Sequence, residues 1–122
     1  MNWNTCFTNA RFGQEYRSAQ ARTAYERDFD RLIFSAAFRR LQDKTQVFPL
    51  PGPVLVHNRL THSLEVASVG RSLGKLVGNE LAELVDPAAR EFYEVDLASV
   101  IAAACLAHDI GNPAFGHSGE SA

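Results

Sequence analysis

The sequence predicts an all-α domain, and three observations carry the prediction. Apolar residues recur at three- and four-residue intervals in three separate stretches, the period of a helix with one buried face. The five prolines stand at the edges of those stretches or between them, because a helix interior rejects them. The chain has no βαβ alternation and no internal repeat.

Residues 1–27 form an N-terminal segment, polar and weakly periodic, with a short helix expected near Ala19 to Arg27. From residue 28 the pattern sharpens into a domain that runs to residue 122. Phe29, Leu32, Ile33, Ala36, Ala37 and Leu41 share one face of a helix over 28–42. Asp28 and Asp30 suit its first turn, and Arg39 and Arg40 its last. V-F-P-L-P-G-P-V-L-V then reads as a loop or small hairpin around a Pro-Gly turn. Thr61 suits the cap of a helix beginning near His62, with Leu64, Ala67, Val69, Leu73, Leu76 and Val77 as apolar positions. Gly70, Gly74 and Gly78 fall on one face of it. Each costs roughly 1 kcal/mol against alanine, which a close helix crossing would offset. Asp86-Pro87 starts a helix over 87–109 whose second half is apolar nearly all round, as a central helix would be. Gly111 and Pro113 end it.

A chain of 122 residues suits one modest domain, and 46% hydrophobic residues suffice for a core. The formal net charge of −2 gives no general pull toward nucleic acid. Cys6 and Cys105 suggest no disulfide framework, and Cys105 reads as a small buried apolar residue. Met1 opens no signal peptide, and the longest apolar run, Leu97 to Ala107, is too short to span a bilayer. A cytoplasmic protein without a membrane partner is expected.

The chemistry concentrates in A-H-D-I-G-N-P-A-F-G-H-S-G-E, residues 107–120. His108 and Asp109 close an apolar helix, where an uncompensated charge is costly. Adjacent helical residues diverge by roughly 100°, so a target common to both sits near the end of the helix axis. A divalent cation meets both conditions, since imidazole and carboxylate are ordinary ligands for Mg, Mn, Fe, Co, Ni or Zn. His62, at the start of the preceding long helix, is the candidate third ligand. A shared metal requires the His62 and His108 side chains to lie within roughly 3 to 5 Å of each other. A His-Asp pair alone is ordinarily just hydrogen-bonded; His62 and a second polar set downstream point to the metal.

That second set is His117 and Glu120, three residues apart and on one face if a helix begins there. A carboxylate beside a histidine holds its tautomer and raises its basicity, which suits His117 to proton transfer. Asn112 either hydrogen-bonds a ligand or forms an Asx turn before Pro113. Arg40, Lys44, Gln46 and Arg59 are candidates to face the same pocket, and guanidinium matches phosphate oxygens. Arg59 stands out because it lies three residues before His62. No Walker-type phosphate loop occurs, so a nucleotide would be held by side chains and metal.

The segments R-D-F-D-R-L-I-F-S-A-A-F-R-R-L-Q-D-K-T-Q-V-F-P, R-L-T-H-S-L-E-V and L-A-H-D-I-G-N-P-A-F-G-H-S-G-E resemble the N-terminal part of the deoxyguanosine triphosphate triphosphohydrolases, members of the HD-domain metalloenzymes. The resemblance covers the chain from about Arg27 onward. It implies an HD-type helical core, incomplete at its C-terminal end, and metal ligands at His62, His108 and Asp109. A distant fourth aspartate has no counterpart within residues 1–122, so the resemblance implies an N-terminal fragment that is inactive alone. It makes His117 the catalytic histidine, as proton carrier or water-positioning group, and Glu120 its acidic partner. It gives Arg59 a phosphate contact, Gln46 the deoxyribose, and Asn112 either a phosphate contact or a loop-shaping role. The implied reaction is cleavage of dGTP or another dNTP to deoxynucleoside and triphosphate. The implied cofactor is a divalent ion, Mg or Mn foremost. The implied partners are the nucleotide, further copies of the chain and, for the full-length form, single-stranded nucleic acid.

Two rival readings share these residues. One is another HD-type nucleotide phosphohydrolase or cyclic phosphodiesterase, separated by its products. The other is a non-catalytic helical regulatory module, separated by metal content and turnover.

Overall fold

The computed structural model describes residues 1–13, 22–44 and 58–113. The described residues contain five α-helices and no strand: α1 (Ala24–Phe34), α2 (Ala36–Arg39), α3 (Arg59–Ala82), α4 (Pro87–Glu91) and α5 (Leu97–Ala107). Short 3₁₀ turns cover Trp3–Thr5 and Arg40–Asp43, and a π-turn, Phe92–Asp96, joins α4 to α5. The expected all-α class therefore holds among the described residues. The Pro-rich segment lies outside the described residues.

α1 starts four residues before the expected position. Thr23 and Glu26 form a reciprocal capping box, which satisfies two otherwise unpaired backbone donors. The expected helix over 28–42 breaks at Ser35, whose hydroxyl accepts from the Phe38 amide at 3.2 Å and so caps a new helix. The break rotates the apolar face. Phe38 and Leu41 go into the core beside Ala67 and Leu106, whereas the expected core positions Ala36 and Ala37 are exposed.

α3 starts at Arg59 rather than His62. Asn58 caps it by accepting from the Thr61 amide at 2.9 Å, and the Thr61 hydroxyl donates to the Asn58 carbonyl instead. Its buried face is Arg59, Ser63, Ala67, Gly70, Gly74, Gly78 and Ala82. Leu64, Val69, Leu73, Leu76 and Val77, expected as core positions, are exposed. The glycines decide which face packs: a Cβ on Gly70 would meet Cys105 Sγ, and one on Gly74 would press on Ile101 and on the α5 backbone at Ala98. This is the close crossing that the glycine spacing predicts.

α5 lies between α3 and α1, with Ala102 and Leu106 fully buried. It is the expected central helix, but the run from residue 87 is interrupted by the π-turn, in which the Leu97 amide reaches back to the Phe92 carbonyl. The N-terminal segment docks on that turn. Phe7 stacks on Phe92 at 4.0 Å, and the buried Tyr93 hydroxyl donates to the Trp3 carbonyl. Cys6 and Cys105 are free thiols, and Cys105 packs against the core. No helix among the described residues is long and apolar enough to cross a membrane.

Candidate metal centre

The crossing of α3 and α5 brings the first turn of one helix to the last turn of the other. His62 lies in the first turn of α3, one turn on from the buried Arg59. His108 is the C-cap of α5, and Asp109 follows it. The chain then turns sharply. The Ile110 amide donates to the Ala107 carbonyl at 3.0 Å, and the Asn112 amide to the Asp109 carbonyl at 3.3 Å. Gly111 takes φ of 92° within this turn, a conformation that side chains with a Cβ disfavour.

The potential ligand atoms of His62, His108 and Asp109 all lie within 4.8 Å of one another. The two imidazoles stand edge to face, with ring centroids 5.3 Å apart. This meets the separation that a shared metal requires.

His108 is oriented by its own helix. Its Nδ1 lies 2.6 Å from the Cys105 carbonyl oxygen. A carbonyl can only accept, so Nδ1 carries the hydrogen, and the neutral ring keeps its lone pair on Nε2. That nitrogen is 3.6 Å from Asp109 Oδ2.

The two oxygens of Asp109 have different surroundings. Oδ1 accepts from Arg59 Nη1 at 2.9 Å and from Asn112 Nδ2 at 2.8 Å. Oδ2 is buried and has no hydrogen-bond partner among the described residues. A buried carboxylate oxygen without a donor is costly. One carboxylate oxygen and two imidazole nitrogens form a donor set that suits a divalent ion, and the oxygen without a donor lies 3.6 Å from His108 Nε2. The residues fit a metal.

Arg59 meets a carboxylate in the structure. Its side chain is 6% exposed, and its Nε is buried without an acceptor among the described residues. Sequence reasoning missed the Arg59–Asp109 ion pair, although the signal was available. Residues three apart share a helix face, so a helix that aims His62 at Asp109 aims Arg59 there too. Asn112 bonds Asp109 as well as closing the turn. Lys44 Nζ donates to the Asn112 carbonyl at 2.6 Å, whereas Arg40 is exposed. Gln46, His117 and Glu120 lie outside the described residues.

The HD domain signature matches residues 59–122, more than half of the chain, and spans all three candidate ligands. The chain belongs to the HD domain family. Over its whole length it is 52% identical to a deoxyguanosinetriphosphate triphosphohydrolase-like protein of Pseudomonas aeruginosa (strain LESB58), covering 27% of that protein. It is 48% identical to one of the same description from Synechocystis sp. (strain ATCC 27184 / PCC 6803 / Kazusa), again over its whole length and covering 28% of the relative. Over 80% of the chain it is 47% identical to the deoxyguanosinetriphosphate triphosphohydrolase of Serratia proteamaculans (strain 568), covering 20% of it. The chain thus spans about a quarter of the length of the first two relatives. The domain and the relatives' names make this a phosphohydrolase family.

Proposed function

We propose that this chain carries the metal-binding part of a dNTP triphosphohydrolase site, with dGTP as the foremost substrate. The observation that supports it most is the convergence of His62, His108 and Asp109 at the α3–α5 crossing, with their potential ligand atoms within 4.8 Å of one another and Asp109 Oδ2 without a hydrogen-bond partner among the described residues. The reading assigns metal binding to these three side chains, with Mg or Mn as the ion. When bound, the ion neutralises charge on phosphate oxygens, a large part of the barrier to phosphoryl chemistry.

The chain's own groups have separate tasks. The His108 ring is held by the Cys105 carbonyl, so its Nε2 needs no reorganisation before binding. Arg59 carries fixed positive charge beside the site, and the reading gives it a phosphate contact. His117 handles the proton or positions the attacking water, and Glu120 orients it. Gln46 contacts the deoxyribose. The proposal extends to a homo-oligomeric, cytoplasmic enzyme with no membrane partner, and to single-stranded nucleic acid as a ligand of the full-length form. The described residues supply three donors, one fewer than the resemblance implies. Turnover therefore belongs to the full natural protein, and none is expected from residues 1–122 alone.

The test incubates the full natural protein with dGTP and Mn²⁺ or Mg²⁺ and identifies the products. Deoxyguanosine with inorganic tripolyphosphate supports the reading. Monophosphate would assign the site to another nucleotide phosphohydrolase. No turnover, with no bound metal, would favour a regulatory module.

A further inference from the structure

We propose that Arg59 and Asn112 act as positioning residues for the metal site, clamping one oxygen of Asp109 so that the other is presented to the cation. The inference rests on the metal-site reading above and adds a role for groups that are not themselves ligands.

A carboxylate on a short side chain can rotate and exchange its oxygens. Here two donors converge on the same oxygen: Arg59 Nη1 at 2.9 Å from the start of α3, and Asn112 Nδ2 at 2.8 Å from the turn after α5. Rotation would break both bonds inside a site where Arg59 and Asp109 are each more than nine-tenths buried. Oδ2 has no hydrogen-bond partner among the described residues and lies 3.6 Å from His108 Nε2.

The clamp is itself tied. Lys44 Nζ donates to the Asn112 carbonyl at 2.6 Å, and the Lys44 carbonyl accepts from the Arg59 amide at 3.0 Å. Lys44, Asn112, Asp109 and Arg59 therefore form a closed circuit of hydrogen bonds. It joins the end of the 3₁₀ turn after α2, the start of α3 and the turn after α5. Such outer partners of a ligand fix its orientation and supply part of the metal affinity.

The experiment measures Mn²⁺ binding by calorimetry and the visible spectrum of Co²⁺ in the full natural protein. It compares the wild type with Asn112→Ala, Arg59→Lys and Asp109→Ala. Asn112→Ala removes one donor at a half-buried position. Arg59→Lys keeps the charge and loses the planar fork. Each should weaken Mn²⁺ binding by about ten- to a hundredfold and shift the Co²⁺ bands. The band shift is a readout that a general loss of stability would not produce. If Asp109→Ala abolishes binding while Asn112→Ala binds as the wild type does, with unshifted bands, the clamp is wrong and the metal site stands. If the wild type binds neither ion, the metal-site reading fails and the clamp with it. Should Arg59→Lys not fold, Asn112→Ala decides alone.

Discussion

Arg59 and Asp109 form an ion pair buried at both ends, Nη1 to Oδ1 at 2.9 Å, with side-chain exposures of 6% and 8%. Such a pair gains little over an apolar pair of the same shape, because both charges lose their water. Breaking it is another matter, since the surviving charge stays buried and uncompensated. Asp109→Ala should therefore destabilise the protein by about 3–5 kcal/mol even with no metal present. Urea unfolding in EDTA measures this. An unchanged midpoint would mean that Arg59 has another anionic partner or reaches water.

The proposed division between ligand and proton carrier gives a second outcome. His117→Ala should lower dGTP turnover by roughly 10²–10⁴-fold while metal content stays at the wild-type level. Asp109→Ala should lose metal and turnover together. Metal analysis run beside triphosphate release separates the two. If His117→Ala strips the metal and Asp109→Ala does not, the roles are reversed.

The convergence of His62 with His108 and Asp109 was legible in the sequence because it follows from two helices and one need, the compensation of a polar helix end. The all-α class was legible from periodicity. The break at Ser35 was not, because a serine suits both an outward-facing helical position and a cap. Only the bond between its hydroxyl and the Phe38 amide decides. The packing face of α3 was misread for a related reason. Leu73 and Leu76 look like core residues, but three glycines let another helix approach so closely that their own bare face becomes the interface. Hydrophobicity ranks side chains and is blind to how near two backbones come. The Arg59–Asp109 pair was within reach of the argument that placed His62, since a helix that aims His62 at Asp109 aims Arg59, three residues earlier on the same face, there too.

That crossing gives a third prediction, opposite in sign to helix propensity. Gly78 lies mid-helix, where alanine would ordinarily gain about 1 kcal/mol. A Cβ there would collide with the backbone oxygen of Tyr93, which cannot swing away as a side chain can. Gly78→Ala should lose a net 1–3 kcal/mol or so. Gly70→Ala meets the Cys105 sulfur, a side-chain atom, and should lose less. Thermal melts of the two variants test the ranking. A Gly78→Ala protein as stable as the wild type would show that α3 and the π-turn can separate without cost.

The π-turn also buries Asp96, whose Oδ1 has no hydrogen-bond partner among the described residues. Burial pushes its carboxyl above the usual aspartate value, and the nearby Glu26 and Glu91 push the same way, against a hydrogen bond with Thr23 that lowers it. The sign follows from proton counting. Between the unfolded and the folded pKa, the native state holds more protons than the unfolded one, so stability falls as pH rises through that window. The contribution of Asp96 is fully present below about pH 4 and lost above its folded pKa. Asp96→Asn keeps an acceptor for Thr23 and removes the charge. It should be more stable than the wild type at neutral pH, with the difference shrinking as pH falls toward the unfolded pKa. Urea midpoints of both proteins, measured stepwise from pH 7 downward, give the comparison. A gap that stays constant across that range would mean that the substitution acts through packing, and that the buried carboxylate carries no desolvation penalty.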